Sequence, residues 1–158
     1  MAHQYRATVK WTRGGATFTD QRYTRGHTWS FDGGITVPAS SSPLSVKLPY
    51  SVAEAVDPEE AFVAALASCH MLTFLYVAAK QGFVVNDYAD DALGEMTKNE
   101  RGKLCVSKVT LSPAITFAGD KRPSAEQPDE LHHLAHEECF IANSVKSEVI
   151  VQGTMSFA

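Results

Sequence analysis

Nineteen consecutive residues, Ala61 to Ala79, carry no Asp, Glu, Lys or Arg, and a strong helix-start signal stands directly before them. Asp57 suits the N-cap and Pro58 the first helical position. Glu60 completes a capping box and adds negative charge where the helix dipole favours it. At about 1.5 Å rise per residue the stretch is long enough to cross a bilayer. Its many alanines, the interruptions at Ser68, Cys69, His70 and Thr73, and the lack of a second such span weigh against that reading. A soluble helix that is apolar on every face is a central core helix. A chain of 158 residues has difficulty covering all those faces from its own elements. A second copy of the chain is the natural source of the missing cover, so a homodimer is expected.

The length suits a single domain over residues 1–158. The hydrophobic content of 44% allows a proper core. A net charge of −4 argues against electrostatic binding of nucleic acid. The N-terminal run MAHQYRATVKW has no apolar segment of the secretory kind. Three cysteines, an odd number, do not make a disulfide framework in such a chain. The expected compartment is the cytoplasm, where thiols are held reduced and are free for redox work.

Tyr5 to Trp11 alternates like a strand and turns at Gly14-Gly15. Short strands are expected over Ala16–Thr19 and His27–Phe31. Val37–Tyr50, rich in Ser and Pro, reads as a loop with room for a short strand at Ser45–Leu48. The long helix should close near Gly82. Phe83–Lys98 and Lys103–Phe117 read as two long strands joined by a turn at Asn99–Gly102. A second helix is expected over Asp129–Cys139, and a closing strand over Ser147–Phe157. Strands, helix, strands, helix, strand is an α+β order.

Cys69 near the middle of the first helix is either inert packing or a sheltered nucleophile. A thiol becomes nucleophilic only as thiolate, which calls for a nearby cation, a helix N-terminus or a metal. The dipole fades beyond the first turn, and His70 points about 100° away from its neighbour. The cation must come from elsewhere, and an arginine is the strongest candidate because it keeps its charge. Arg13, Arg22 and Arg25 stand in the N-terminal region. Glu59, ten residues before Cys69, lies roughly 15 Å from it along the helix axis. A site that used both would combine two chains.

The segment D-P-E-E-A-F-V-A-A-L-A-S-C resembles the helix signature of the OsmC/Ohr family, the osmotically inducible and organic hydroperoxide resistance proteins. A-H-E-E-C-F-I-A-N-S is similar to that family's second-cysteine segment. R-G-H-T-W-S-F-D-G-G looks like its arginine-bearing turn and strand. The resemblance implies an intertwined dimer with antiparallel sheets around a long central helix, a second helix, and two active sites at the subunit interface. It implies a thiol peroxidase acting on organic hydroperoxides, with hydrogen peroxide as a further candidate substrate, without metal or flavin. Cys69 matches the peroxidatic cysteine and Cys139 the resolving one. Arg25 matches the arginine that stabilises the thiolate, and Glu59 the carboxylate that orients it. Both of these would reach the thiol across the interface. The implied cycle passes through a Cys69 sulfenic acid and a Cys69–Cys139 disulfide, reduced by an external dithiol of the lipoyl type. Phe62, Leu66, Leu72 and Phe140 are candidates for an apolar pocket. Phe140 stands where familiar branches carry proline, and the Gly14–Pro49 segment departs from the best-known hydroperoxidases, which leaves Arg22 and Arg13 open beside Arg25.

Two further readings stay open. The same fold could hold a small apolar ligand at its interface without catalysis. His132, His136 and Cys139 share one helical face at i, i+4 and i+7, a spacing suited to zinc, although Glu137 and Glu138 suit a solvated face. Cys105, with no partner motif, is expected to be buried packing.

Overall fold

The cap at Asp57 forms as its residue types dictate. In the computed structural model, which describes residues 2–158, the Asp57 carboxylate accepts from the Glu60 N–H at 2.8 Å. The Glu60 carboxylate in turn accepts from the Asp57 N–H at 3.3 Å. The helix that follows, α1, runs from Pro58 to Lys80. Gly82 ends it with φ 79°, a left-handed conformation that a Cβ would disfavour. The N–H groups of Gly82 and Phe83 close back on the carbonyls of Ala79 and Ala78.

Two compact units divide the chain, one up to Ala61 and the other from Phe62 to Ala158. In the first, β1 (Ala7–Lys10), β2 (His27–Phe31) and β3 (Thr36–Ala39) form an antiparallel meander. The expected strand at Ala16–Thr19 does not form. Phe18 instead stacks on Tyr23 at 4.7 Å, and Trp11 closes the aromatic group at 5.4 Å from Tyr23. Ser45–Leu48 is a turn, and the strand of that region is β3, which takes Pro38 at the edge of the sheet.

In the second unit the two long strands and the closing strand expected from the sequence are each broken in the middle. Phe83–Lys98 becomes β4 (Val84–Asp90) and β5 (Leu93–Lys98). Lys103–Phe117 becomes β6 (Leu104–Leu111) and β7 (Pro113–Ala118). The closing strand becomes β8 (Glu148–Val151) and β9 (Thr154–Phe157). The halves go to two different sheets, ordered β4-β7-β9 and β5-β6-β8. The physical reasons sit at the breaks. Pro113 has no N–H for a ladder, and Asp90 Oδ1 takes the Ser112 N–H at 2.7 Å. β8 and β9 run parallel to β6 and β7, so both sheets are mixed.

The second helix, α2, spans Gln127–Glu138, with Cys139 as its C-cap. Within this unit α1 buries a narrow stripe, Leu66, His70, Phe74 and Ala78, every fourth residue. Phe74 and Ala78 join Phe83, Ile115, Phe117, Leu131 and Ala135 in one core. Leu66 joins Val109 and Leu111 in another. The rest of α1 is open: only 22% of its most apolar stretch is buried, and Leu72 and Tyr76 are 62% and 65% exposed.

Candidate active site

The narrow buried stripe of α1 sets the orientation of its polar residues. Cys69 lies at the edge of the stripe, half-buried, and its sulfur accepts the N–H of Ile141 at 3.5 Å. Ile141 follows the C-terminus of α2, in the turn that leads into a short 3-10 segment, Ala142–Ser144. The next N–H, of Ala142, points to the sulfur of Cys139 at 3.4 Å. Cys139 is fully buried. Burial pushes its thiol up to about 11, the hydrogen bond to Cys69 adds to the rise, and the Ala142 N–H opposes it. Cys139 thus holds its proton beside Cys69, and the two free sulfurs are brought together. The structure answers a question that spacing alone leaves open, because 70 residues separate the pair along the chain.

Backbone N–H groups carry no mark in a sequence, so the two donors at Ile141 and Ala142 could not be foreseen. They supply partial positive charge to whichever sulfur carries negative charge, the role that a cation or helix end plays elsewhere.

His70 is 1% exposed and His132 6% exposed. Their rings lie nearly parallel at 5.3 Å, with His70 Nε2 and His132 Nδ1 3.0 Å apart, so one nitrogen donates and the other accepts. Burial lowers both imidazoles to about 4. His132 and His136 push His70 further down, while Asp129 partly offsets the fall for His132. The pair is neutral at neutral pH. Gly153 makes room for it: a Cβ there would lie 2.6 Å from His132 Nε2. A histidine inside an apolar helix requires a buried partner, and that was the available signal for this contact. The same contact removes the zinc face. His132 turns to His70 and Cys139 to Cys69, and no group of three or more His, Cys, Asp or Glu among the described residues is arranged to hold a metal ion.

Arg25 belongs to the first unit and is held on every side there. Its N–H donates to Tyr50 O at 2.7 Å, and its guanidinium donates to the carbonyls of Gln21 and Tyr23. The guanidinium carbon sits 3.9 Å above the Tyr23 ring. Trp29 Nε1 donates to His27 Nε2, which leaves His27 Nδ1 to donate to Arg25 O at 2.7 Å. Arg13 and Arg22 are exposed, whereas Arg25 is half-buried. Glu59 is half-buried in the first turn of α1 and makes no ion pair among the described residues; those present are Lys108–Glu95 and His133–Glu137. In one chain the orientation of Arg25 therefore comes from carbonyls and an aromatic face.

An apolar groove of about 990 Å³ runs along the open side of α1 past Cys69, lined by Leu72, Tyr76, Leu134, Phe140 and Ile141, with Lys80 also at its wall. Of the expected pocket residues, Leu72 and Phe140 line it. Leu66 is core, and Phe62 packs beside Leu66 and faces a different groove. Cys105 is half-buried rather than buried, and its thiol donates to Thr97 O across the β5–β6 ladder at 3.8 Å.

The model of one protein family, described as OsmC-like protein, matches residues 51–152. Among solved structures, an OsmC-like protein of unknown function from Vibrio cholerae is 51% identical. The match covers 97% of this chain and 100% of that one, with a TM-score of 0.94. An organic hydroperoxide resistance protein from Elizabethkingia anophelis is 16% identical over 100% and 99% of the two chains, with a TM-score of 0.67. One from Bacillus subtilis is 18% identical over 98% of each, with a TM-score of 0.60. No curated protein sequence matched.

Proposed function

The chain belongs to the OsmC-like protein family, and from that premise we propose that it is a thiol-dependent peroxidase for organic hydroperoxides. The observation that carries this reading is the pairing of two free sulfurs, one half-buried beside an apolar groove and the other buried and protonated behind it. The Cys69 thiolate attacks the outer peroxide oxygen. An S–O bond forms, the O–O bond breaks, and the alkoxide leaves as alcohol after taking a proton. Cys139 then attacks the sulfenic sulfur, water leaves, and the Cys69–Cys139 disulfide forms. An external dithiol, of the lipoyl type by family resemblance, reduces it by exchange. The apolar lining favours an organic substituent on the peroxide over hydrogen peroxide.

We place Arg25 as the cation for the thiolate and Glu59 as a carboxylate of the same site, both supplied by a second copy in a cytoplasmic homodimer of one OsmC-like domain. Support for the second copy comes from the open apolar face of α1 and from exposed Val9, Phe31 and Ile35 in the first unit. Exposed apolar area of this extent marks an interaction surface. Light scattering should therefore give a particle of twice the 17.2 kDa chain mass. A 17.2 kDa particle would remove the shared site.

The chemistry is tested with one equivalent of cumene hydroperoxide on wild type and Cys139→Ser. Wild type should lose two thiols and show an intrachain disulfide by non-reducing mass spectrometry. The variant should lose one thiol and accumulate a Cys69 sulfenic acid that dimedone traps. Retention of all three thiols in wild type would sink the peroxidase reading. The groove would then favour the second reading, a non-catalytic binder of small apolar ligands.

A further inference from the structure

Cys139 must lose a proton to attack the sulfenic acid, yet nothing in the cycle so far takes it. The sulfur is fully buried, so bulk hydroxide has no direct path to it. On α2 the residues three and seven positions earlier are His136 and His132, and i, i+4 and i+7 place all three on one face. That face meets α1, as the contacts of His132 with His70 and of Cys139 with Cys69 show. His136 sits between those two contacts. Its Nδ1 is wholly buried and has no hydrogen-bond partner, while the residue as a whole keeps some exposure. An imidazole with one nitrogen free inside, on a residue that keeps some exposure, can take a proton at one nitrogen and release it at the other.

We propose that His136 accepts the thiol proton of Cys139 during disulfide closure and passes it to the outside, with the His70–His132 pair as its inner wall. The step rests on the peroxidase reading and balances as follows. The Cys139 S–H bond breaks, with its proton going to His136. The sulfur forms the S–S bond to Cys69, and the Cys69 S–O bond breaks. The departing hydroxide takes a proton, from His136 or solvent, and leaves as water. Cys139 is oxidised and the sulfenic sulfur reduced. The titratable group on α1 that feels the charge of His136 is His70, and His132 and the C-cap Cys139 share its side of α2. Neither His70 nor His132 is charged at neutral pH, so a proton arriving on His136 meets no second cation.

The test is single-turnover kinetics on wild type, His136→Gln and His136→Ala, reading sulfenic acid and disulfide separately. In both variants the Cys69 sulfenic acid should still form, which also reports a folded site, and closure should slow by at least about tenfold. Without its base, closure should follow the Cys139 thiolate fraction and rise about tenfold per pH unit, where wild type rises far less. Added imidazole should speed closure in His136→Ala. Closure at the wild-type rate, or slowed closure with the wild-type pH profile, would overturn the assignment while leaving the peroxidase intact. A wild type that forms no sulfenic acid overturns both.

Discussion

Cys69→Ser should reduce hydroperoxide consumption to the solution background, a loss of at least about a thousandfold, or about 4 kcal/mol of transition-state stabilisation. A serine hydroxyl has neither an accessible anion at neutral pH nor an oxidation state equivalent to the sulfenic acid. No other thiol can take over. Cys139 is fully buried, with its thiol pushed up to about 11. Cys105 is on β6, hydrogen-bonded to Thr97 and away from the groove beside Cys69. The measurement is steady-state consumption of cumene hydroperoxide with a dithiol reductant. Retention of more than a few per cent of wild-type turnover would mean that Cys69 is not the nucleophile.

The second large effect concerns acid. His70 and His132 bind protons less readily in the folded chain, at about 4, than in an unfolded one, where histidine titrates near about 6.5. Between those values the unfolded state holds more protons, so stability is fully present above about pH 6.5 and is lost as pH falls toward about 4. Because the rings share one hydrogen bond they titrate as a pair, and the loss should be on the order of 3 kcal/mol or more. Asp90, raised by burial, works in the opposite direction, since acid relieves its buried charge. Urea unfolding at fixed protein concentration across this window provides the measurement. A His70→Asn/His132→Asn double variant, which keeps a polar pair without titratable rings, should lose most of the slope. A flat wild-type profile would show that the pair is not neutral and buried as described.

What was legible in the sequence was local. Asp57, Pro58 and Glu60 predicted the start of α1, and the cap forms with the expected bonds. Gly82 predicted its end. The motif around Cys69, the second-cysteine segment and the α+β order predicted the family, and the family match agrees. In each case the cause lies within a few residues of its effect, so a linear reading contains it.

The sequence could not show where the two long strands and the closing strand would break. Each half is a good strand, and only the competition between two sheets for partners decides that Ser112–Pro113 and Gln152–Gly153 are crossings. The site divides the same way. The helix around Cys69 nominated that thiol and the family resemblance nominated Cys139, but the meeting of their sulfurs depends on how α2 packs on α1. So do the two N–H donors at Ile141 and Ala142, and the diversion of His132 from a zinc-like face to His70. Local chemistry is written in residue order, whereas a contact across 62 or 70 positions exists only once burial has selected one packing of the helices.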